Sequence, residues 1–471
     1  MSRDLFTLVL AAGQGTRFKS PKAKVLHSLL GRSMLRLVAS SLLALKPRKL
    51  LVVVGHQKEE VSREAAGPGV EFVWQRAQLG TAHAVATARS RLQPHLEADV
   101  LVIHGDLPLI TSAPLRQMVA RHRRSGNALT FMTADLNDPS GFGRIIEEDG
   151  RARVVEQKDA TPEQRKIRLV NVGIYVFRVR DLLAALPRIS NKNKKKEYYL
   201  TDIVEVMSRM GRRVAPFLTP NPEEIVGVNT RYELAKAAEV LRERKARELA
   251  EAGVSILDPR TAWIDLEVQV GPDTIIHPAV ALEGSTRVGA SCVLHPFVQV
   301  IDSQVGDGVR ILGSSVIRDS RVESGAQVGP FAHLRAKTVL RAGSKAGNFV
   351  EMKNTDFGPG SKAMHLSYLG DSTVEEEVNV GAGTITCNFD GVKKNPTFIG
   401  AGAFIGSGTE LVAPLKVGRG AYIGAGSVIT KDVSPGALAV SRARQFEKAG
   451  WAARRSRKRG GAEVPPPSRK R

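Results

Sequence analysis

The C-terminal half of this 471-residue chain carries an aliphatic residue at about every sixth position, with glycine or another small residue beside many of them. This spacing is typical of the hexapeptide β-helix, in which each short strand turns one side chain into a shared core. An α-helix would instead repeat its apolar face every three or four residues. A glycine-rich sandwich is the alternative, but six consecutive hexads in phase between 399 and 429 argue against it. The predicted core positions are Val270, Ile276, Leu282, Val288, Leu294, Val300, Val305, Ile311, Ile317, Val322, Val328, Leu334, Leu340, Ile399, Ile405, Leu411, Val417, Ile423 and Ile429.

The N-terminal half has a different pattern, in which short apolar runs alternate with longer helix-like stretches such as Ser33–Leu45 and Thr81–Leu92. The apolar runs are Leu5–Leu10, Leu50–Val54, Val100–His104 and Leu129–Thr133. Unbroken apolar strands are typical of parallel sheets covered on both faces. The alternation therefore predicts a Rossmann-like, doubly wound α/β domain, whose ligands bind beyond the carboxyl ends of the strands.

Between the two halves, Asn229–Ala252 is rich in Ala, Leu, Glu, Lys and Arg and contains neither Gly nor Pro. This composition predicts a long, stiff helix, with Leu234, Ala238 and Leu241 along one face. The chain is therefore divided into an α/β domain, a linker helix, a β-helix domain and a basic tail, over residues 1–229, 230–252, 253–441 and 442–471.

The charge of the chain raises a question about its partners. Hydrophobic and charged contents of 42% and 25% are ordinary for a globular protein, but the net charge is +22. The tail holds eleven Lys or Arg and two Glu, so it accounts for +9 of this charge. Because the tail has no apolar periodicity, we predict that it is disordered and solvated. A nucleic-acid role is the weaker alternative, since Phe446 and Trp451 are its only aromatic residues.

The cysteine content and the hydropathy of the chain bear on the cellular compartment in which the protein is found. The two cysteines, Cys292 and Cys387, are too few for a disulfide framework and are predicted to be core residues of a cytoplasmic protein. No segment has the roughly 18 apolar residues that a membrane span needs. The apolar run at Leu5–Ala12 leads into a glycine loop and lacks the basic leader of a signal peptide.

Two candidate ligand sites follow strands of the α/β domain. Gly13–Gly15 comes after the first strand, with Arg17 and Lys24 nearby. Glycines let backbone N–H groups approach a phosphate, and two cations would neutralise a triphosphate, although the loop read alone is equally a structural turn. Asp106 ends a later strand, where a carboxylate suits Mg²⁺ bridging nucleotide phosphates. An aspartate that caps the following turn is the alternative.

A third candidate lies where polar residues interrupt the six-residue pattern, over Arg341–Pro396. Such departures often mark function. The interval contains His365, and an imidazole ionises at about pH 6.5, which suits a general base near neutral pH. A single histidine taken alone is more often structural.

Nine motifs occur in order from Leu10 to Arg231: LAAGQGTR, KVLH, QLGTAHA, GDLPL, GFGRI, VEQKDAT, NVGIY, EYYLTDI and GVNTR. Together they resemble sugar-1-phosphate nucleotidyltransferases. With the β-helix behind them, the chain resembles, over about residues 5 to 442, the bacterial bifunctional N-acetylglucosamine-1-phosphate uridyltransferase/glucosamine-1-phosphate acetyltransferase family.

This resemblance implies acetyl transfer from acetyl-CoA to glucosamine-1-phosphate, followed by uridylyl transfer from UTP to N-acetylglucosamine-1-phosphate. The product, UDP-N-acetylglucosamine, would supply peptidoglycan and lipopolysaccharide synthesis in the cytoplasm. The family also implies Mg²⁺ as cofactor and a homotrimer with acetyl-CoA clefts between subunits.

The resemblance further implies roles for individual residues of the α/β domain. Arg17 and Lys24 would act in catalysis on the UTP phosphates, and Asp106 and Asn229 would hold Mg²⁺. The residues implied to bind UTP or the sugar nucleotide are Leu10, Ala11, Ala12, Gly13, Lys24, Gln75, Gly80, Thr81, Gly143, Glu156, Asn171 and Asn229.

In the β-helix, the resemblance implies that His365 is the general base that deprotonates the attacking amine. The residues implied to bind the sugar phosphate are Arg335, Lys353, Tyr368, Asn379 and Lys394. Those implied to contact acetyl-CoA are Asn388, Phe389, Ser407, Ala425 and Arg442. The chain departs from the family at Gln14, Ala23 and Phe389, where Lys, Pro and Tyr are usual.

Two other functions stay open. A monofunctional sugar-1-phosphate nucleotidyltransferase with a regulatory β-helix would not need His365 and Tyr368 together. A non-catalytic subunit, like the translation-initiation exchange factors that keep both folds, would not need Arg17, Lys24 and Asp106.

Overall fold

The computed structural model describes residues 3–148 and 151–458, which form two compact units. The first unit runs to Gln269 and takes in Pro278–Ser285, and the second comprises Val270–His277 and the chain from Thr286 onward. No helix in the described part of the chain is both long enough and apolar enough to cross a membrane.

The first unit alternates strands and helices. Its elements through the first six strands are β1 Leu5–Ala11, β2 Ser28–Leu29, β3 Arg32–Ser33, α1 Met34–Leu43, β4 Lys49–Val54, α2 Lys58–Ala65, β5 Val70–Trp74, α3 Thr81–Thr87, α4 Arg89–Leu92 and β6 Asp99–His104. They continue with α5 Ser112–Ser125, β7 Leu129–Asp135, β8 Gly143–Glu148, β9 Arg151–Val155, α6 Pro162–Arg165, β10 Leu169–Arg178, α7 Val179–Ala185, α8 Ile203–Arg209, β11 Val214–Leu218 and α9 Arg231–Glu251. Single 3-10 turns lie at Thr16–Phe18, Lys24–Leu26, Gln93–His95, Leu186–Arg188, Leu200–Asp202 and Pro222–Ile225.

The main sheet of this unit has the strand order β11-β7-β10-β6-β1-β4-β5. Strand β1 pairs in parallel with β4 and β6, while β10 runs antiparallel between β6 and β7 and also pairs with the β8–β9 hairpin. The predicted α/β class is confirmed. The antiparallel insertion was not predicted, because an apolar run does not state the direction of its neighbours.

Both faces of this sheet are covered, which explains the unbroken apolar strands. Leu8 and Leu51 belong to a buried cluster on one face, and Val9 and Val52 to a buried cluster on the other. Since successive side chains of a strand point to opposite faces, most positions of these strands carry an apolar residue.

Helix α9 begins with a capping box. The Thr230 hydroxyl accepts a hydrogen bond from the Glu233 N–H, and the Glu233 carboxylate accepts from the N–H groups of Thr230 and Asn229. Leu241 is buried on the face predicted from the sequence, and Leu234 and Ala238 pack against the same cluster. The linker helix is therefore present, and its N-terminus fixes the backbone of Asn229.

Short strands make up residues 255–439. The first fifteen are β12 Ser255–Ile256, β13 Trp263–Ile264, β14 Gln269–Val270, β15 Ile275–Ile276, β16 Ala281–Glu283, β17 Arg287–Val288, β18 Val293–Leu294, β19 Gln299–Ile301, β20 Gln304–Val305, β21 Arg310–Ile311, β22 Val316–Arg318, β23 Arg321–Val322, β24 Gln327–Val328, β25 His333–Arg335 and β26 Val339–Leu340. The others are β27 Lys345–Lys353, β28 Asp356–Phe357, β29 Lys362–Gly370, β30 Ser372–Val374, β31 Asn379–Val380, β32 Ile385–Cys387, β33 Thr397–Ile399, β34 Phe404–Ile405, β35 Glu410–Val412, β36 Leu415–Val417, β37 Tyr422–Ile423, β38 Val428–Ile429 and β39 Leu438–Ala439.

These strands pair in parallel from one coil to the next. Val305 pairs with Val322 and Val322 with Leu340, which are steps of 17 and 18 residues, or three hexads. All predicted core positions are buried except Val270, which is half-buried. Residues 255–439 thus form the predicted left-handed parallel β-helix, and its aliphatic residues stack in a common interior.

The interval at Arg341–Pro396, predicted to be irregular, is mostly regular. Ala346, Met352 and Phe357 continue the buried column, and strands β27 and β29 are the longest of this unit in the described chain. The real interruption is the loop 388–396, because Val374 pairs with Ile399 across a step of 25 residues. We call this segment the excursion loop.

Sharp corners join the three faces of each coil. Non-glycine residues adopt left-handed backbone at many corners, among them Asp302, Asp319, Asn354 and Asp371, with φ between 46° and 50°. Asn and Asp tolerate this conformation better than most residues, and glycine occupies many of the other corners.

The predicted disorder of the tail does not hold for Trp451–Lys458, which form helix α10. Alanine and arginine, both good helix formers, dominate that stretch and explain the difference. Residues 459–471 lie outside the described residues.

Candidate active sites

The first candidate site is a cavity of about 260 Å³ at the carboxyl edge of the α/β sheet. Strands β1 and β6 are parallel neighbours, with Leu10 paired to His104, so the loops that follow them meet there. The cavity is lined by Leu10, Ala11, Ala12, Gly13, Gly15, Lys24, Val25, Gln75, Gln78, Gly80, Thr81, Ala84, His104, Asp106 and Glu197.

Lys24 lies at the centre of the polar contacts in this site. Its ammonium donates to the Asp106 carboxylate at 2.5 Å and to the Asn229 amide oxygen at 3.0 Å. The Arg17 guanidinium donates to the same amide oxygen at 2.9 Å. Four residues predicted from distant parts of the sequence are therefore linked by direct hydrogen bonds.

The oxygens of Asp106 and Asn229 also fit a divalent cation. Both are hard oxygen donors and both already contact one positive charge, the Lys24 ammonium. Mg²⁺ takes few protein ligands and completes its shell with phosphate oxygens and water. In the described residues no group of three His, Cys, Asp or Glu could hold a metal, so two protein oxygens with a nucleotide are the donor set available.

Electrostatics keep Asp106 ionised. Burial by itself would raise the pKa of this carboxyl, but the charge and hydrogen bond of Lys24, together with His104, outweigh burial and lower the pKa. Burial lowers the pKa of His104, which favours a neutral imidazole beside the carboxylate. Asp106 therefore presents a negatively charged oxygen ligand beside the Lys24 ammonium.

The wall beside β5 and α3 is built from amide groups. Gln75 donates to the carbonyl of Gly80 at 3.2 Å, and Gln78 donates to the carbonyl of Ala12 at 2.9 Å. Thr81 accepts a hydrogen bond from the backbone N–H of Leu200. These bonds fix the positions of polar groups that could hydrogen-bond a ligand.

Gly143, Glu156 and Asn171 form a separate group that does not line this cavity. Gly143 pairs with Asn171 across β8 and β10, and Glu156 accepts a hydrogen bond from the Thr201 hydroxyl. Burial raises the pKa of Glu156. Among the residues that the structure describes, the buried Asn171 Oδ1 has no hydrogen-bond partner, which is the condition expected of an acceptor that awaits a ligand.

The sequence did not single out Gln78, His104 or Glu197 as site residues, although all three line the cavity. Gln78 and His104 adjoin predicted motifs, so their position in QLGTAHA and before Gly-Asp was the available signal. Glu197 is the first residue of the motif EYYLTDI, which was the available signal for it.

The second candidate site lies on strands β27 and β29 of the β-helix. Asn348 and His365 are paired across these strands, and His365 Nδ1 lies 2.8 Å from Asn348 Oδ1. A Cβ atom on Gly347 would lie 2.0 Å from the carbonyl oxygen of Met364, so the two backbones approach more closely than a side chain permits. The glycine brings the imidazole and the amide within hydrogen-bonding distance.

Three cations gather toward the other end of the same strands. Arg335 pairs with Lys353 across β25 and β27, and its guanidinium donates twice to one oxygen of Glu351. Contact with the ammonium of Lys394, carried by the excursion loop, lowers the pKa of Lys353. Like charges held together in this way need an anion between them, and a phosphate meets that need.

Tyr368 and Asn388 lie over Gly370. A Cβ atom on Gly370 would lie 2.4 Å from the tyrosine hydroxyl and 2.7 Å from the asparagine amide nitrogen, so only glycine leaves room for both. Because Gly370 pairs with Lys353, this hydroxyl belongs to the neighbourhood of the cations. Asn388 is held by Asp371, to which its amide donates.

The remaining predicted residues lie on later coils. Ser407 and Ala425 occupy equivalent positions one coil apart, and Arg442 donates to the carbonyl of Ala425. Phe389 is exposed on the excursion loop and forms an isolated antiparallel bridge with Lys394. Asn379 is exposed and pairs with Lys362 and Phe404, without a hydrogen bond to the cations among the described contacts.

Comparison with protein families matches both units. Residues 7–249 match the model of the MobA-like NTP transferase domain, and residues 396–431 match the bacterial transferase hexapeptide with six repeats. The first match covers the sheet with its cavity, and the second covers the most regular coils of the β-helix.

Whole proteins are similar as well. The chain is 47% identical over 444 residues to the bifunctional protein GlmU of Thermotoga petrophila, covering 94% of this chain and 98% of the relative. It is 43% identical over 447 residues to that of Lactobacillus delbrueckii subsp. bulgaricus, covering 94% and 96%. The corresponding protein of Pelobacter propionicus is 43% identical, with 97% of this chain and 99% of the relative covered.

Proposed function

This chain belongs to the GlmU family of bifunctional proteins, and we propose that it makes UDP-N-acetylglucosamine from glucosamine-1-phosphate in two steps. The observation that carries the proposal is the similarity of this chain to bifunctional GlmU proteins over nearly its whole length, which includes both candidate sites. The first step is acetyl transfer on the β-helix, and the second is uridylyl transfer in the α/β domain.

Acetyl transfer needs a base and a place for the sugar phosphate. His365 accepts a proton from the amine as the nitrogen attacks the thioester carbonyl of acetyl-CoA; the new C–N bond forms, the C–S bond breaks, and the proton passes on to the departing thiolate of CoA. The phosphate is bound by Arg335, Lys353 and Lys394. The proximity of these three cations to one another supports this role. Tyr368 and Asn379 orient the sugar.

Acetyl-CoA binds along the later coils. The proposed contacts of acetyl-CoA follow one another along one column of the β-helix, which supports the assignment; they are Ser407, Ala425 and Arg442. Asn388 and Phe389 lie where the excursion loop begins and complete the set.

Uridylyl transfer needs positioning and charge neutralisation rather than a covalent intermediate. An oxygen of the sugar phosphate attacks the α-phosphorus of UTP in line with the leaving pyrophosphate. Arg17 and Lys24 neutralise the triphosphate, supported by their convergence on Asn229. The backbone of residues 10–13, with Gln75, Gly80 and Thr81, holds the uridine, while Gly143, Glu156 and Asn171 hold the sugar.

Asp106 and Asn229 would hold the Mg²⁺ that the family implies, and the bound ion would stabilise negative charge on the phosphates. Their hard oxygens and shared contact with one cation support this assignment.

We further propose a cytoplasmic homotrimer that supplies peptidoglycan and lipopolysaccharide synthesis. A row of apolar side chains at one corner of the β-helix supports the trimer: Phe297, Phe331, Phe349 and Leu366 are each more than half exposed. Exposed apolar rows of this kind are usually covered by a partner.

The test supplies the purified chain with glucosamine-1-phosphate, acetyl-CoA, UTP and Mg²⁺ and identifies the products by mass. We expect UDP-N-acetylglucosamine, CoA and pyrophosphate. A monofunctional nucleotidyltransferase would form this product only when N-acetylglucosamine-1-phosphate replaces glucosamine-1-phosphate, and a non-catalytic subunit would form it from neither sugar. Either result would overturn the proposal.

A further inference from the structure

We propose that Asn348 is a positioning residue that fixes the tautomer of His365, so that Nδ1 carries the proton and Nε2 presents a free lone pair. The proposal rests on the proposed role of His365 as the base of acetyl transfer. It adds a residue that acts through the imidazole and touches neither the amine nor the thioester.

The geometry of the two side chains is fixed from the backbone outward. Asn348 and His365 are direct partners in the parallel pairing of β27 and β29, and Gly347 draws the two strands together immediately before them. The following residues, Phe349 and Leu366, both adopt left-handed backbone, with φ of 57° and 39°. The chain therefore turns away after each member of the pair, at the same level of two successive coils.

A stacked aromatic pair holds this corner in place. The Phe349 ring stacks on that of Phe331 one coil earlier, with centroids 5.3 Å apart and planes within 12°. The turn that follows Asn348 is thus tied to the preceding coil. The backbone from which the Asn348 side chain extends is therefore held next to that of His365.

The chemistry of the contact selects one tautomer. A neutral imidazole has one N–H and one lone pair, and an amide oxygen can only accept a hydrogen bond. With Asn348 Oδ1 facing Nδ1 at 2.8 Å, the contact is a hydrogen bond when Nδ1 carries the proton, which leaves Nε2 free to accept the amine proton. An amide turned the other way would donate to Nδ1 and would place the proton on Nε2, where it blocks the base.

An amide also serves this purpose differently from a carboxylate. Its oxygen orients the ring but carries no full charge, so it does not hold the imidazolium form as an aspartate would. The described neighbours support this reading, because the nearby Glu351 carboxylate on β27 is engaged by Arg335.

The test compares Asn348→Leu and Asn348→Asp with the wild-type chain, and uses Gln304→Leu, an exposed amide on a different face, as the matched control. Two readouts are taken: the ¹⁵N chemical shifts of the His365 ring nitrogens in the intact protein without substrate, and the pH profile of acetyl transfer. Uridylyl transfer reports folding of the rest of the chain and should not change.

In the wild type we expect ¹⁵N shifts of a ring protonated at Nδ1. Asn348→Leu should mix the two tautomers and lower kcat for acetyl transfer by about 10- to 100-fold, as loss of an orienting partner commonly does. Asn348→Asp should keep the tautomer but stabilise the imidazolium, which moves the acid limb of the profile to higher pH. Gln304→Leu should change none of these quantities.

A wild-type ring protonated at Nε2, or unchanged ring shifts and an unchanged pH profile in both Asn348 variants, would overturn the proposal. The ring shifts are measured without turnover. A chain that lacks acetyl transfer altogether would therefore refute the proposed function while the tautomer is still determined.

Discussion

At the scale of single residues, one ammonium group lies at the centre of the polar contacts in the proposed nucleotide site. Lys24 contacts Asp106 and Asn229 at once, so it neutralises a carboxylate that would otherwise be costly to bury among apolar strands. The same ammonium is the proposed partner of the UTP phosphates. In this proposal, one cation balances the charge of the carboxylate and also binds the triphosphate.

Replacing Asp106 by Ala should remove the proposed metal carboxylate and leave Lys24 with Asn229 but without its carboxylate partner. We expect uridylyl transfer to fall by about 100-fold or more, since charge stabilisation at phosphates is usually the largest catalytic contribution. Acetyl transfer should stay unchanged. Coupled assays of pyrophosphate and of CoA release measure the two activities on the same sample, and full uridylyl activity with Mg²⁺ would contradict the assignment.

The reciprocal change is His365→Ala. Removing the base should lower acetyl transfer by about 10²- to 10⁴-fold, the range of general-base contributions, and leave uridylyl transfer intact. Formation of CoA from glucosamine-1-phosphate measures the first activity. Each of the two variants is the other's control, so loss of both activities in either one would refute the two-site assignment.

A cluster of carboxylates lies beside Gly143, Glu156 and Asn171, the residues proposed to hold the sugar. It predicts that the stability of the folded chain depends on pH. Burial and the charges of Glu156, Glu205 and Asp159 raise the pKa of Asp202 from 3.8 to about 6. The folded state therefore holds this proton more tightly than the unfolded chain does. Its contribution to stability is full below about pH 4 and is lost as the pH rises through about 6.

Asp202→Asn should consequently stabilise the chain at pH 7.5 by about 1–2 kcal/mol, less than the full conversion of the shift because the carboxyl is partly exposed. The gain should vanish at pH 4. Urea denaturation at the two pH values measures the difference, and an equal effect at both would show that the proton is not involved.

At the scale of elements, the start of helix α9 has two functions. Its capping box satisfies the first N–H groups of the helix, and the same Glu233 carboxylate accepts from the N–H of Asn229, whose amide faces Lys24. A helix terminus therefore positions a residue of the nucleotide cleft.

Glu233→Ala should cost about 0.5–2 kcal/mol of stability, as the loss of a cap does, and should lower uridylyl transfer because Asn229 is released. Acetyl transfer should not change. Glu239→Ala is the matched control, since Glu239 pairs with the exposed Lys236 on the same helix and with no other residue in the described part of the chain. Thermal unfolding and the two assays give the result, and equal behaviour of the two variants would refute the positioning role.

Much of the fold follows from the sequence at this scale, because burial imposes a period. Aliphatic residues every six positions identified the coils, and unbroken apolar runs identified the covered sheet. The coils between 341 and 387 escaped recognition because Ala346, Met352 and Phe357 fill the core in place of branched aliphatic residues. The direction of β10 escaped because strand pairing depends on distant partners.

The candidate sites were less accessible to local patterns. Lys24 and Asn229 are 205 residues apart in sequence, and only their motifs, taken in order, indicated a common site. His104 and Glu197 were missed because a cavity wall is assembled from several loops. The pairing of Asn348 with His365 was also hidden, since it depends on the exact length of one coil.

At the scale of the whole molecule, the exposed apolar corner predicts assembly. Phe331 and Phe349 stack on each other at the surface, and Leu366 continues the row on the next coil. We expect three chains of 50.9 kDa per particle. Phe331→Glu should break the assembly, because it places a charge in a desolvated contact.

Light scattering after gel filtration measures the particle mass of this variant and of Gln304→Glu, which adds the same charge on another face. The first should yield single chains that have lost acetyl transfer and kept uridylyl transfer. The second should remain trimeric and active. A wild-type particle containing a single chain would contradict the proposed assembly.

The excursion loop illustrates how a β-helix can gain a functional side chain. Seven residues more than an ordinary coil are inserted there, yet Ile399 returns to the column and Val417 follows 18 residues later. The interruption is thus absorbed where it occurs, and every later coil keeps its alignment. A β-helix can therefore take an insertion in one coil without a change in the coils around it. Lengthening a single corner is enough to place a lysine near a bound phosphate.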